Sequence, residues 1–242
     1  MRYESAELAK ISINIFLTSS VTASNMLAEL CETIGADWAE IVPALRLDRR
    51  IGQHAYLSPG LGISGGNLER DLITVSNLAA EYGTHADLVH AVLTNSDYRK
   101  DWVLGKIHAE VLPSCPRPTL ALWGLAYKAH TASVKNSPAV ALLKTLGEHA
   151  VRVYDPEVTR IPDQSIDTVR ATSALEACEN ADALAIMTPW PEFSSIALDQ
   201  VRGRMAGEVI IDPFGVVDGD KCKALGFRYC KLGSPNRVTE SS

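Results

Sequence analysis

Four glycines in seven residues, Gly60, Gly62, Gly65 and Gly66, open the stretch of this chain best suited to chemistry. A backbone without Cβ atoms turns sharply and approaches a ligand closely. The run Asn67-Leu68-Glu69-Arg70-Asp71-Leu72 follows at once and reads as a helix start. Free N–H groups at such a start favour an anion. A flexible surface loop has the same spacing, so the loop alone leaves both readings open.

Other chemistries find less support. The five cysteines, Cys31, Cys115, Cys178, Cys222 and Cys230, form no C-x-x-C pair, and the six histidines form no H-x-x-x-H pair. No metal site is expected, and free thiols in a reducing cytoplasm fit an odd, irregular set. The net charge of -6 argues against a nucleic-acid surface. The apolar runs are short and interrupted, so no membrane span is expected, and the N-terminus is too polar for a secretory signal. With 46% hydrophobic and 21% charged residues, the 242-residue chain has the composition of a packed globular protein.

Two kinds of element must position the loop. Residues 1–112 read as a helical domain. Leu8, Ile11, Ile15, Val21, Met26, Leu27 and Leu30 recur at helical spacing up to Gly35. A helix of roughly 30 residues spans about 45 Å, which suits a spine or a dimer axis. Asp37 reads as the N-cap of a second helix ending near Leu45, with Pro43 expected to distort or end it. Residues 68–82 and 86–110 give two more helices, stopping before Gly83 and Pro113. The segment 113–118 holds Pro113, Pro116 and Pro118 and reads as a linker.

Over residues 119–233 the rhythm changes. Apolar runs at Thr119–Trp123, Val151–Tyr154, Ala183–Met187 and Val209–Ile211, with a weaker one at Phe227–Cys230, alternate with helical patterns. Those patterns are Pro138–Glu148, Ser173–Glu179, Leu198–Met205 and Gly219–Leu225. Such alternation predicts a doubly wound parallel sheet. The fold class is α/β: an all-helical domain, then a Rossmann-like sheet domain, with a frayed tail at 234–242. The first strand-to-helix turn reads Gly124-Leu125-Ala126-Tyr127-Lys128, so the G-x-G-x-x-G dinucleotide fingerprint is absent. Lys128 can instead meet a phosphate as a point charge.

Several segments together resemble one family. Ser5-Ala6-Glu7-Leu8-Ala9-Lys10 with Asn14 and Phe16-Leu17 resembles S-A-E-L-x-K-x-x-x-N-x-F-L. Cys31-Glu32 with Gly35-Ala36-Asp37 is similar to C-E-x-x-G-A-D, and Leu47-Asp48-Arg49-Arg50-Ile51-Gly52 to L-D-x-R-I-G. Gly124 to Lys128 matches G-x-A-[FY]-K, and Tyr154-Asp155-Pro156 matches Y-D-P. Ala181-Asp182-Ala183 and Thr188-Pro189-Trp190 match A-D-A and T-x-W. The glycine loop, aligned from Gly62, resembles G-F-G-G-S-C-F-P-K-D, with matches at Gly62, Gly65 and Asp71 and with Arg70 in the lysine position. The chain thus resembles the UDP-glucose/GDP-mannose dehydrogenase family. The resemblance covers the family's central dimerisation portion and C-terminal nucleotide-sugar portion, without its N-terminal NAD domain.

The resemblance implies a chemistry and its residues. The family oxidises a sugar alcohol to a carboxylate in two hydride transfers, trapping the aldehyde on a thiol before the second. By resemblance Lys10 would stabilise a developing oxyanion, Asn14 would orient substrate or water, and Asp71 would support proton transfer to that water. An exposed helix lysine, a locally bonded asparagine and a carboxylate at a helix start are the plain alternatives. Tyr56, Leu57, Gly62 and Gly65 would shape the sugar pocket. Lys128 would face the diphosphate, with Tyr127 beside it. Arg50 would reach the neighbouring subunit's ligand, or else be a surface arginine. Trp190 reads as a packing residue. A UDP-sugar ligand and a homodimer through the helix near residues 5–34 follow.

Departures from the pattern limit that chemistry. The nucleophilic cysteine falls on Asn67, and an amide is not a nucleophile. Lys135 stands in Ser133-Val134-Lys135-Asn136-Ser137, where the family's D-x-R-E-S has an arginine for NAD. The arginine after the fifth strand gives way to Asp212-Pro213-Phe214-Gly215, which weakens a nucleotide-sugar contact. NAD is therefore expected of the family and not of this chain alone. Three roles follow: a dimerising nucleotide-sugar binder without the full four-electron oxidation, part of a split or longer NAD-dependent dehydrogenase that stops at two electrons, or a non-catalytic partner of an intact dehydrogenase.

Overall fold

The computed structural model describes residues 1–147, 149–161 and 168–235. It divides into two compact units, Met1–Arg99 together with the described residues from Leu232 on, and Lys100–Lys231. The division falls at Arg99, ahead of the proline-rich segment, because the last helical turns pack with the sheet unit. The tail expected at 234–242 lies outside the described residues from 236 on, as does Glu148 at the expected end of a helix.

In the first unit the long helix is α1, Tyr3–Ile34, 32 residues. Gly35, in the left-handed region with φ 81°, ends it by donating its N–H to the Cys31 carbonyl. Helix α2, Trp38–Leu47, starts on Asp37, whose carboxylate accepts the Ala39 N–H at 2.7 Å. Pro43 lies inside α2 without ending it, because Ile41, Val42 and Leu45 pack on Ala28, Cys31 and Trp38. Helix α3, Asn67–Tyr82, runs from the glycine loop to Gly83, and α4 is Asp87–Lys100. Leu72, Val89 and Val92 form the core between these two, with Ile15 of α1 packed against it.

The helix expected over 86–110 is broken. After α4 come α5, Trp102–Lys106, and a π-helical turn, Ile107–Val111, both in the sheet unit. Helix α1 is, by length and composition alone, long and apolar enough to cross a membrane. Its apolar residues divide by face. Ile13 and Phe16, and after a gap at Ser20 and Ala23 also Leu27, Leu30 and Ile34, share a face at helical spacing and are exposed. The opposite face is polar and occupied by the glycine loop and α3, through bonds from Asn14 and Asn25.

The second unit is a six-stranded, wholly parallel sheet in the order β3-β2-β1-β4-β5-β6. Its strands are β1 Thr119–Trp123, β2 Ala150–Tyr154, β3 Thr168–Arg170, β4 Ala183–Ile186, β5 Val209–Ile211 and β6 Arg228–Cys230. Its connecting helices are α6 Pro138–Leu146, α7 Ala174–Ala177, α8 Pro191–Ser194, α9 Leu198–Arg204 and α10 Gly219–Ala224. The order reverses between β1 and β4, the doubly wound arrangement the alternation predicts. Strand β3 and the single-turn α8 had no signal in the sequence. Strands β1, β4 and β5 are almost wholly buried, as both-face coverage by helices requires.

Asp155, just past β2, ties the carboxyl edge of this sheet together. Its Oδ2 accepts N–H bonds from Leu125 at 2.6 Å, Ala126 at 3.0 Å and the Trp190 indole at 3.2 Å. Its Oδ1 accepts the Glu157 and Val158 N–H groups at 2.9 and 2.8 Å. Burial pushes this carboxyl's pKa up, but the backbone bonds outweigh it and hold the pKa below its ordinary value. A depressed folded-state pKa stabilises the fold above the unfolded carboxyl's pKa, about 4. That contribution is lost as pH falls through the folded pKa. Asp155→Asn should therefore cost about 2–3 kcal/mol in urea denaturation at pH 7. The gap to wild type should narrow when the same measurement is made in acid.

Candidate functional site

The polar face of α1 positions the site. Lys10, Asn14, Thr18, Val21 and Asn25 follow one another at three, four or seven residues and share that face. Asn25 Oδ1 accepts the Gly60 N–H at 2.8 Å and fixes the start of the glycine loop. Further on, the Ile63 N–H donates to Ser96 Oγ of α4 at 2.7 Å. Gly62 (φ 78°) lies so close to α4 that a Cβ there would stand 2.2 Å from the Ser96 carbonyl oxygen. The loop is a pinned ribbon, not a flexible one.

It delivers Asn67 as the first residue of α3, exposed to solvent. Asp71 follows one turn later on the same face and is buried. Asn14 Nδ2 donates to Asp71 Oδ2 at 2.7 Å. Arg70 donates to Asp71 Oδ1 from Nη2 at 3.1 Å and from Nε at 3.3 Å. Both carboxylate oxygens are thus engaged. This makes Asp71 an anchor that aims Asn14, leaving the Asn14 Oδ1 and second N–H for a ligand. Lys10, one turn before Asn14, is exposed. Lys10, Asn14, Asn67 and Asp71 are therefore brought to neighbouring turns of two packed helices.

Beside them lies a cavity of about 270 Å³, lined among others by Leu17, Thr18, Val21, Tyr56, Gly62 and Leu68. Its walls are largely aliphatic, with Asn25, Asn95 and Ser96 supplying polar groups. Two of the expected pocket residues, Tyr56 and Gly62, line it. Leu57 does not, since it is buried and its carbonyl accepts the Trp38 indole N–H at 2.7 Å. Gly65, with φ 77°, shapes the turn from within and is buried. Arg50 lies outside the lining, exposed and paired with Asp48 at 2.6 Å, an ion pair that lowers the Asp48 pKa and raises that of the arginine. Sequence reasoning missed Asn25, Asn95 and Ser96. An asparagine three turns beyond Asn14 on one helix face was the available signal.

In the sheet unit, Lys128 is exposed after β1, with its Nζ 5.6 Å from the Tyr127 ring centre. Tyr127 is half-buried and donates its N–H to the Ser133 carbonyl at 3.0 Å. Lys135 is exposed in the same long loop. Trp190 is buried against His130 and bonded to Asp155, which makes it a packing residue. This edge does not fit a dinucleotide pyrophosphate. The Leu125 and Ala126 N–H groups that would cradle it donate to Asp155. Gly124 is spent on close packing, since a Cβ there would stand 2.4 Å from Thr188 Cβ. Burial pushes the Cys178 and Cys222 thiols up to about 12, so neither is a ready nucleophile. Among the described residues no three His, Cys, Asp or Glu side chains gather as a metal site.

Comparison with known proteins agrees with both units. Residues 4–97 match the central domain of the UDP-glucose/GDP-mannose dehydrogenase family, and residues 121–219 match its UDP binding domain. The chain belongs to this family. UDP-glucose 6-dehydrogenase of Rickettsia bellii (strain RML369-C) is 30% identical over 234 residues, which are 95% of this chain and 54% of that protein. UDP-glucose 6-dehydrogenase TuaD of Bacillus subtilis (strain 168) is 31% identical, covering 99% and 52%. A solved UDP-glucose dehydrogenase from Pyrobaculum islandicum superposes with a TM-score of 0.82 at 23% identity, over 97% of this chain and 52% of that one. The chain spans about half the length of these dehydrogenases.

The glycine loop offers a direct test of its pinned geometry. Gly62→Ala should lower stability by about 1–3 kcal/mol in urea denaturation, because backbone strain and a clash with a carbonyl oxygen coincide. Gly60→Ala, where a Cβ meets nothing within 4 Å, is the matched control and should change it little.

Proposed function

We propose that this chain binds a nucleotide sugar, with a UDP-sugar as the favoured ligand, and dimerises, without carrying out the four-electron oxidation. The observation that carries the reading is Asn67. It occupies the first turn of α3 beside the Asn14–Asp71 pair, where the family places a thiol. An amide cannot add to an aldehyde to form the adduct that would donate the second hydride. The binding parts are present: the cavity behind the glycine loop, Lys10 and Asn14 for a sugar hydroxyl, and Lys128 for a phosphate. NAD is left to the family's other domain, since the first turn of the sheet unit engages its own N–H groups.

The dimer rests on the exposed face of α1. Phe16 is 77% exposed and Leu30 51%, in two apolar patches of one helix face, Ile13 with Phe16 and Leu27 with Leu30 and Ile34. Patches of that kind bury themselves against a second helix. A cytoplasmic setting suits five free cysteines.

A second reading is favoured by the half-length match to the relatives. In it, the chain works as part of a split or longer NAD-dependent dehydrogenase, and Asn67 stops the reaction after two electrons. A third role, a non-catalytic partner of an intact dehydrogenase, uses the same dimer surface.

Isothermal calorimetry separates these. The chain should bind UDP and UDP-glucose and give no heat with NAD. Tight NAD binding without UDP binding would sink the proposal. If an NAD domain is supplied, the product should stop at the aldehyde level, and a uronic acid in that mixture counts against the two-electron reading. Sedimentation should give a dimer for the wild type and a monomer for Leu30→Glu.

A further inference from the structure

The carboxyl edge of the sheet holds a cation that the proposal so far leaves idle. Lys231 follows β6 directly. Its side chain lies across Gly215 in the loop after β5. A Cβ built on Gly215 would stand 2.8 Å from Lys231 Cε and 3.2 Å from its Nζ. Gly215 has φ 68°, so a side chain there would be strained and would displace the lysine as well.

Lys231 is half-buried, and among the described residues no carboxylate forms an ion pair with it. Asp212, just past β5, forms no ion pair with Lys231, and its Oδ1 is buried without a hydrogen-bond partner. Its Oδ2 accepts the Val217 N–H and the Tyr229 hydroxyl, each at 2.9 Å, and burial raises its pKa. Withdrawing an ammonium partly from water with no counter-ion costs free energy, which an arriving anion recovers.

We propose that Lys231 is a phosphate ligand, acting with Lys128 on the diphosphate of the nucleotide sugar. This rests on the nucleotide-binding reading above. Open parallel sheets bind ligands outside the carboxyl ends of their strands. The loop after β1 leans onto the loop after β4 through the bond from Thr188 Oγ1 to the Ala126 carbonyl, 2.7 Å. Strand β6 lies two positions beyond β4, roughly 10 Å at the usual strand spacing. A diphosphate set across that gap would meet Lys231 on one side and Lys128 on the other. The loop that Lys231 crosses is also the one in which the family resemblance expects an arginine and this chain has Asp212-Pro213-Phe214-Gly215.

The test is calorimetric titration of the full chain with UDP, uridine and inorganic pyrophosphate. Lys231→Met keeps the aliphatic stem on Gly215 and removes the charge. It should weaken UDP and pyrophosphate by about tenfold and leave uridine unchanged, the size expected for one charge-assisted contact. Gly215→Ala, which displaces Lys231 without changing any charge, should produce the same selective loss while the circular dichroism stays that of wild type. Lys231→Met binding both anions as tightly as wild type, while Lys128→Met loses them, overturns the role of Lys231 and leaves the nucleotide reading standing. Pyrophosphate bound through Lys231 with no affinity for UDP supports the lysine and overturns the nucleotide reading. No binding of either anion by wild type overturns both.

Discussion

Two asparagines on one face of a single helix hold the glycine loop at both ends. Asn25 accepts the N–H of Gly60 where the loop begins, and Asn14 donates to Asp71 just past the point where it becomes α3. Eleven residues separate them, about 16 Å along the helix. The loop, the cavity beside it and the position of Asn67 all depend on that span. An α-helix repeats every 3.6 residues, so the residues between the asparagines divide by face. Thr18 and Val21 face the cavity, while Phe16 and Ala23 face solvent. One helix thus supports a binding site and an association surface without conflict.

The sheet unit is organised by one carboxylate instead. Asp155 collects five N–H donors from three loops at the carboxyl edge. A buried carboxylate needs such bonds, and here they offset its desolvation. The same bonds remove the N–H groups that a dinucleotide would require. A doubly wound sheet can therefore keep the strand order of a dinucleotide fold while its first turn is closed to that ligand. Anion recognition passes to lysines standing outside the knot.

Much of the fold was legible because its signals are local. Gly35, Asp37 and Gly83 mark helix ends through single-residue chemistry, and buried strands such as Ala183–Ile186 announce themselves as apolar runs. Strand β3 did not, since its three residues include an exposed Val169 and no alternation. Pro43 was expected to distort or end α2, and packing around Trp38 carries the helix past it. Of the site, Asn14 and Asp71 came from family resemblance, because no spacing rule joins residues 57 positions apart. Ser96 was invisible for the same reason, while Asn25 showed only as a further asparagine on the Asn14 face of the helix. Leu57 lies outside the cavity lining because a pocket motif does not reveal which of its residues turn inward.

The return of the chain at Leu232 bears on how the protein is put together. Gly233 donates its N–H to Glu32 at 3.0 Å and accepts the Trp38 N–H at 2.8 Å. Its Cα is packed so tightly that a Cβ would stand 2.7 Å from that of Trp38. Arg99, buried beneath, pairs with Glu29 at 3.4 Å and lies 3.9 Å from Glu32. The helical unit is therefore closed by residues that follow the whole sheet unit in the chain. In chain order the sheet unit is an insertion within the helical one. A cut at the proline-rich segment would not yield two independent modules, since it would strip the helical unit of the strand end that seals Trp38.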